Sequence, residues 1–189
     1  MVLTGGASRR MGRTKATLPA GSTTMSRRTA ELVAAVADPV VEVGPGHSGL
    51  RSISDAVAAG GPLAAMATGA TWLAGQGWAG PALVVATDLP LLTVELLRWL
   101  AAHPAGGSVV PLDREGRAQL LCARYHPKEL AGAAVLVASG HRAMHDLLDV
   151  AAAVTFVTWG EWAEAGGPEA LTDVDTPADL AALAHRRHR

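Results

Sequence analysis

Short apolar runs alternate with longer amphipathic stretches along almost the whole of this 189-residue chain. The clearest run, Ala82-Leu-Val-Val-Ala86, is apolar at every position. A strand that reads as a continuous apolar run, without alternation, is covered on both faces, as in a parallel sheet between helical layers. Runs at Met1–Leu3, Pro39–Val43, Arg51–Ser54, Ser108–Pro111, Gln119–Tyr125 and Val154–Thr158 predict further strands. Helical periodicity predicts a helix over Thr24–Val36, with Leu32, Val33 and Val36 on its apolar face. Further helices are expected over Gly61–Leu73, Val94–Ala102, Lys128–Val137 and His141–Leu148. Pro62 suits a first helical turn, and Thr176-Pro177 reads as an N-cap followed by proline at the start of a last helix. Gly44-Pro-Gly-His-Ser-Gly49 is a turn cluster.

Strands that alternate with helices of this length build βαβ units. The expected architecture is α/β: a Rossmann-like three-layer α/β/α sandwich around a mostly parallel, mixed sheet. The runs 108–111 and 119–125, on either side of the loop Asp113-Arg-Glu-Gly116, supply its antiparallel pair. There is no internal repeat, linker or low-complexity tract, so residues 1–189 are read as one domain.

Composition narrows the function classes. Hydrophobic residues make up 49% and charged residues 17%, which is a globular composition. A formal net charge of −1 argues against a protein that wraps nucleic acid or coats an anionic membrane. Aromatic residues are 4% and mostly tryptophan, so no platform for single-stranded nucleic acid is evident. Trp72, Trp78, Trp99, Trp159 and Trp162 read as core. The one cysteine, Cys122, reads as a small core residue and fits a reducing cytoplasm. No secretory signal is visible, and the apolar stretches are interrupted well before membrane-spanning length. The basic tail His185–Arg189 suits a solvated helix end. His141 and His145, four residues apart on the expected helix, lack a third ligand and read as surface.

The chemistry concentrates at the start of the chain. The first strand runs directly into Gly5-Gly6-Ala-Ser-Arg9-Arg10-Met-Gly12-Arg13-Thr-Lys15, which carries no acidic residue. Glycines let backbone N–H groups approach a ligand closely, and successive N–H groups form a concave anion site. The glycine spacing fits neither a Walker loop nor the Gly-x-Gly-x-x-Gly dinucleotide fingerprint, which disfavours a kinase-type NTPase and an NAD-dependent oxidoreductase. In parallel α/β sheets the ligand sits at the carboxyl ends of strands, where Asp55 and Asp88 also fall. Thr93 is better placed than Asp88 to cap the next helix, which leaves Asp88 as a candidate Mg²⁺ ligand. The set suits nucleotidyl transfer, in which a substrate phosphate attacks the α-phosphorus of a nucleoside triphosphate and pyrophosphate leaves. Such chemistry needs positioning and charge neutralisation more than a protein nucleophile. Amides near Gly5–Arg10 would cradle the leaving phosphates, with Arg10 and Lys15 neutralising their charge and Mg²⁺ on Asp88.

The loop Leu3-Thr-Gly-Gly-Ala-Ser-Arg-Arg-Met-Gly-Arg-Thr-Lys15 resembles the nucleotidyltransferase signature Leu-x-Gly-Gly-x-Ser-x-Arg-Met-Gly-x-x-Lys. More narrowly, the chain resembles the molybdenum cofactor guanylyltransferases over nearly its whole length. Asp55 followed by Gly61-Pro-Leu-Ala64, Ala86-Thr-Asp88-Leu-Pro90 and Thr172-Asp-Val-Asp-Thr-Pro177 carry the likeness beyond the loop. The resemblance implies a fold of the nucleotide-diphospho-sugar transferase type and transfer of GMP from GTP to molybdopterin. It implies nucleotide-binding roles for Leu3, Thr4, Gly5, Gly6, Lys15 and Asp55, and a metal role for Asp88. On the acceptor side the candidates are Gln119 and Arg142, each polar in an otherwise apolar context, with Asp173 and Asp175 from the segment that resembles the family's; the two aspartates also suit a turn before the last helix, and Asp175 is an alternative second metal ligand. Further expectations are a monomer or weak oligomer and transient contact with molybdoenzyme-maturation proteins.

Three departures stand out: Thr14 where the family has aspartate, Thr4 where it has alanine, and Asp173 and Asp175 where it has asparagine. The last pair would bring extra negative charge near an anionic acceptor. The alternatives are a cytidylyltransferase for the same cofactor, a guanylyltransferase for another phosphorylated small molecule, and a non-catalytic nucleotide-binding protein.

Overall fold

The computed structural model describes residues 1–5, 15–54 and 60–174. The helix expected from Thr176 onward, and Gly6, Arg10, Thr14, Asp55 and Asp175, lie outside them. In chain order the elements are β1 (Val2–Leu3), a 3₁₀ turn (Lys15–Thr17), β2 (Pro19–Ala20), β3 (Thr23–Thr24) and α1 (Met25–Ala34). Next come β4 (Glu42–Val43), β5 (Ser52–Ile53), α2 (Gly61–Gly75), β6 (Ala82–Ala86) and α3 (Val94–Ala102). β7 (Ser108–Pro111), β8 (Cys122–Tyr125), α4 (Pro127–Ala138), α5 (Met144–Val150), β9 (Val154–Val157) and α6 (Trp159–Gly166) complete them.

Seven strands form one sheet in the order β5-β4-β1-β6-β8-β7-β9, while β2 and β3 pair as a separate antiparallel hairpin. β1 runs parallel to both β4 and β6, β5 parallel to β4, and β7 parallel to β9. β8 is antiparallel to β6 and β7, so the mixed sheet is as expected. Helices cover both faces, and consecutive strand residues feed different cores. Leu3, Val43 and Val84 pack with Leu63, Met66, Leu130 and Leu147 from α2, α4 and α5. Val2, Leu83 and Val85 pack with Val33, Leu96, Leu97, Leu100 and Trp162 from α1, α3 and α6. This two-sided burial is why the central strands are apolar throughout. Among the described residues no helix is long and apolar enough to cross a membrane.

Local signals set most boundaries. Thr24 and Thr93 cap α1 and α3 through Oγ1, which accepts from the N–H of Arg27 and of Leu96. Proline stands in the first turn of α2 and α4. Several expectations need correction. The expected strand 119–125 is a strand only from Cys122, because Gln119–Leu121 form the return of the hairpin: Gln119 N–H donates to the Pro111 carbonyl and Cys122 N–H to that of Gln119. His141 precedes α5 and pairs with Asp146 (3.1 Å), so it shares no helix with exposed His145. Trp78 is 41% exposed; its ring lies over Gly80 and its indole N–H donates to the Pro81 carbonyl, closing a turn and not filling the core. The β2–β3 hairpin and α6 were not among the expected elements.

Candidate active site at the carboxyl ends of the parallel strands

The chain runs from β1 outward to β4 and β5, then returns to the far side of β1 as β6. The strand order therefore reverses between β1 and β6, and open α/β sheets hold their ligand crevice at such a reversal, beyond the carboxyl ends of the strands. Register sets what stands beside what. Leu3 pairs with Val43 on one side and Ala86 on the other, so Thr4, Gly44 and Thr87 leave the sheet together. The opening loop thus emerges at the crevice, one residue from Asp88. α2, entered at Gly61-Pro62, begins at the same end.

Asp88 is half-buried. Thr93 caps α3, so the helix does not need the Asp88 carboxylate for that purpose. Burial, and secondarily the Asp88 charge, pushes the Cys122 thiol up to about 12. Cys122 is thus an inert core residue. Among the described residues no three His, Cys, Asp or Glu side chains converge as a metal cage. Mg²⁺ requires none, since one or two carboxylates, waters and substrate phosphates hold it. The hard oxygen donor of Asp88 next to the loop fits that mode.

A side chain not singled out in the sequence organises the loop exit. Glu42, on β4, is fully buried. Its Oε1 accepts from the Thr4 hydroxyl and from the N–H groups of Gly46 (2.8 Å) and His47 (2.9 Å). Its Oε2 accepts from Ser48 N–H (2.8 Å) and Ser48 Oγ (2.5 Å). Burial by itself would raise this carboxyl; the hydrogen bonds from Ser48, Thr4 and the backbone outweigh it and hold it at about 2. The only signal for it in the sequence is a charged residue within the apolar run Val40-Val-Glu-Val43.

The acceptor-side candidates divide. Gln119 and Asp173 line one cleft of about 260 Å³, bounded by the β7–β8 hairpin, the start of α6 and residues 168–173. Arg114 lies over the Trp159 ring at 4.5 Å on one wall, and buried Trp162 ties α6 to the hairpin through an indole N–H to the Leu112 carbonyl (2.8 Å). Gln119 Nε2 donates to Asp113 Oδ2 (3.2 Å), which also accepts from Arg117 Nε (2.7 Å). The chain leads from the cleft directly to Asp88: Asp173 lines the cleft, and the next residue, Val174, donates its N–H to the Asp88 carbonyl (2.9 Å). Arg142 does not line it. Its Nη1 donates to the carbonyls of Val137 (3.0 Å) and His141 (2.6 Å), closing the end of α4. The Arg142 backbone instead abuts Gly61 at the start of α2. Lys15 opens the 3₁₀ turn that follows the opening loop.

Residues 1–155 match the model of the MobA-like NTP transferase domain. The chain is 37% identical over 199 positions to a Mycobacterium avium (strain 104) protein named "Probable molybdenum cofactor guanylyltransferase", covering 99% of this chain and 95% of that one. The crystal structure of molybdopterin-guanine dinucleotide biosynthesis protein A from Archaeoglobus fulgidus has TM-score 0.79 at 19% identity, over 99% of this chain and 97% of its own. The 2-C-methyl-D-erythritol 4-phosphate cytidylyltransferase of Thermus thermophilus gives 0.63 at 20% identity, over 98% of each chain. These solved structures share the fold, of the nucleotide-diphospho-sugar transferase type. By the family match and the near-full-length relative, the chain belongs to the MobA-like NTP transferases.

Proposed function

We propose that the protein transfers GMP from GTP to molybdopterin, forming the guanine dinucleotide form of the molybdenum cofactor and releasing pyrophosphate. One observation carries the reading: the strand register sets Thr4-Gly5 abreast of Thr87-Asp88 at the point where the strand order reverses. An oxygen of the acceptor's terminal phosphate attacks the α-phosphorus in line, and the bond to the β-phosphate oxygen breaks. Gly5 and Gly6 offer backbone N–H donors to the phosphates, Arg10 and Lys15 neutralise charge growing on the pyrophosphate, and Asp55 reads the guanine nucleotide. Asp88 holds Mg²⁺, which when bound supplies charge neutralisation at the reacting phosphates.

The cleft of Gln119 and Asp173 takes the acceptor. Four of its lining residues are acidic (Asp113, Glu115, Glu169 and Asp173) against two arginines, Arg114 and Arg117. Such a lining suits the N–H-rich heterocycle of a pterin, while the acceptor's phosphate points to the crevice. Residues 1–189 act as one domain in the cytoplasm. The test offers radiolabelled GTP and CTP with molybdopterin and Mg²⁺. Label is expected in the product from GTP; incorporation from CTP alone overturns the base assignment, and incorporation from neither overturns the activity.

A further inference from the structure

We propose that Glu42 is a positioning residue of the nucleotide site, acting through Thr4 to fix the Gly5 amide; this rests on the proposed role of the opening loop in holding the triphosphate. Thr4 is the last residue before the glycines, and β4 holds it twice. Its N–H donates to the Val43 carbonyl (3.1 Å), and its hydroxyl donates to Glu42 Oε1. The same carboxylate gathers the N–H groups of Gly46, His47 and Ser48 and the Ser48 hydroxyl. One buried anion therefore ties the exit of β1 to the turn after β4. Two loops that leave neighbouring strands become one unit.

Gly44 completes the arrangement. Its φ is +149°, and a Cβ there would stand 2.1 Å from Thr4 Oγ1 and 2.9 Å from Gly5 N. The β4 exit is thus packed directly against the atoms that must face the phosphates. A loop glycine has many accessible conformations, and holding one of them in advance removes an ordering cost from ligand binding. The anion-binding loop tolerates a carboxylate so close because five donors already share its charge. Thr4 stands where the family has alanine, and Glu42 supplies the reason for its hydroxyl.

The test uses the full chain and two replacements. Thr4→Val keeps the shape and loses the hydroxyl; Thr4→Ser keeps the hydroxyl. Dissociation constants for GTP, CTP, ATP and UTP with Mg²⁺ are measured by calorimetry, alongside KM, kcat and Tm. Thr4→Val is expected to weaken binding and raise KM about tenfold for whichever triphosphate the wild type binds, with kcat changed less than about threefold. Thr4→Ser recovers affinity to within about threefold of the wild type. A merely structural hydroxyl would lower Tm and leave affinity and KM in place. Wild-type affinity in Thr4→Val, or an equal loss in Thr4→Ser, overturns the proposal. Should Thr4→Val not fold, Thr4→Ala carries the same comparison. A wild type that prefers a triphosphate other than GTP overturns the guanylyl reading, while the ratio between variants still decides this one.

Discussion

Replacing Glu42 by glutamine is expected to cost stability at neutral pH and almost none in acid. The buried carboxyl moves from an ordinary value of about 4.5 to about 2 on folding. That difference corresponds to about 3 kcal/mol, at roughly 1.4 kcal/mol per decade. The sign follows from the direction. A carboxyl depressed in the folded state contributes its stability above the unfolded value and loses it as pH falls from about 4.5 to about 2. Asp113 and Glu161 are held low as well, so the wild type alone does not isolate Glu42. Glu42→Gln supplies the reference, because it keeps the shape, removes the charge and turns an N–H₂ toward groups that are all donors. Urea unfolding followed by circular dichroism at pH 7, 5, 3.5 and 2.5 measures the gap between the two proteins. A gap of about 3 kcal/mol at pH 7, equivalent to a Tm lower by roughly 6–12 °C, should shrink toward zero at the acid end. A gap that stays constant with pH would refute the argument, since the loss would then be one of packing.

Three further outcomes are expected. Asp88→Asn should reduce turnover at least about a hundredfold while metal-free triphosphate affinity stays within a few-fold of the wild type, as read by single-turnover transfer and calorimetry; unchanged turnover removes Asp88 from the metal role. Gln119→Leu should raise the KM for the acceptor about tenfold and leave nucleotide affinity alone, whereas an unchanged acceptor KM would take the cleft out of acceptor binding. Gly166→Ala puts a Cβ 2.6 Å from that of Leu96, where α6 packs on α3. It should lower stability by about 1–3 kcal/mol in thermal melts; a wild-type Tm would mean the two helices separate freely.

Most elements were legible because their causes are local. Ala82–Ala86 and Val94–Ala102 match the expected bounds, the first because both sheet faces are covered, the second because Thr93 caps it. The errors also have local causes. Gln119–Leu121 are apolar enough for a strand, yet they turn the hairpin back toward Pro111. Trp78 has the composition of a core residue, but it follows the end of α2 and covers a turn. The β2–β3 hairpin is two residues per strand, too short for a period to register.

The amino-acid sequence by itself determined the α/β alternation, the opening glycine-rich loop with its cations, and the carboxylate that follows the strongest strand. Those features depend on residues a few positions apart: periodicity, capping and glycine spacing. Tertiary structure alone decided that β6 lies beside β1, that Gln119 and Asp173 face one cleft while Arg142 does not, and that Glu42 holds Thr4. Thr4 and Glu42 are 38 residues apart, and only the strand order and register bring them into contact. A strand shifted by one residue would turn Glu42 to the opposite face and leave Thr4 without it.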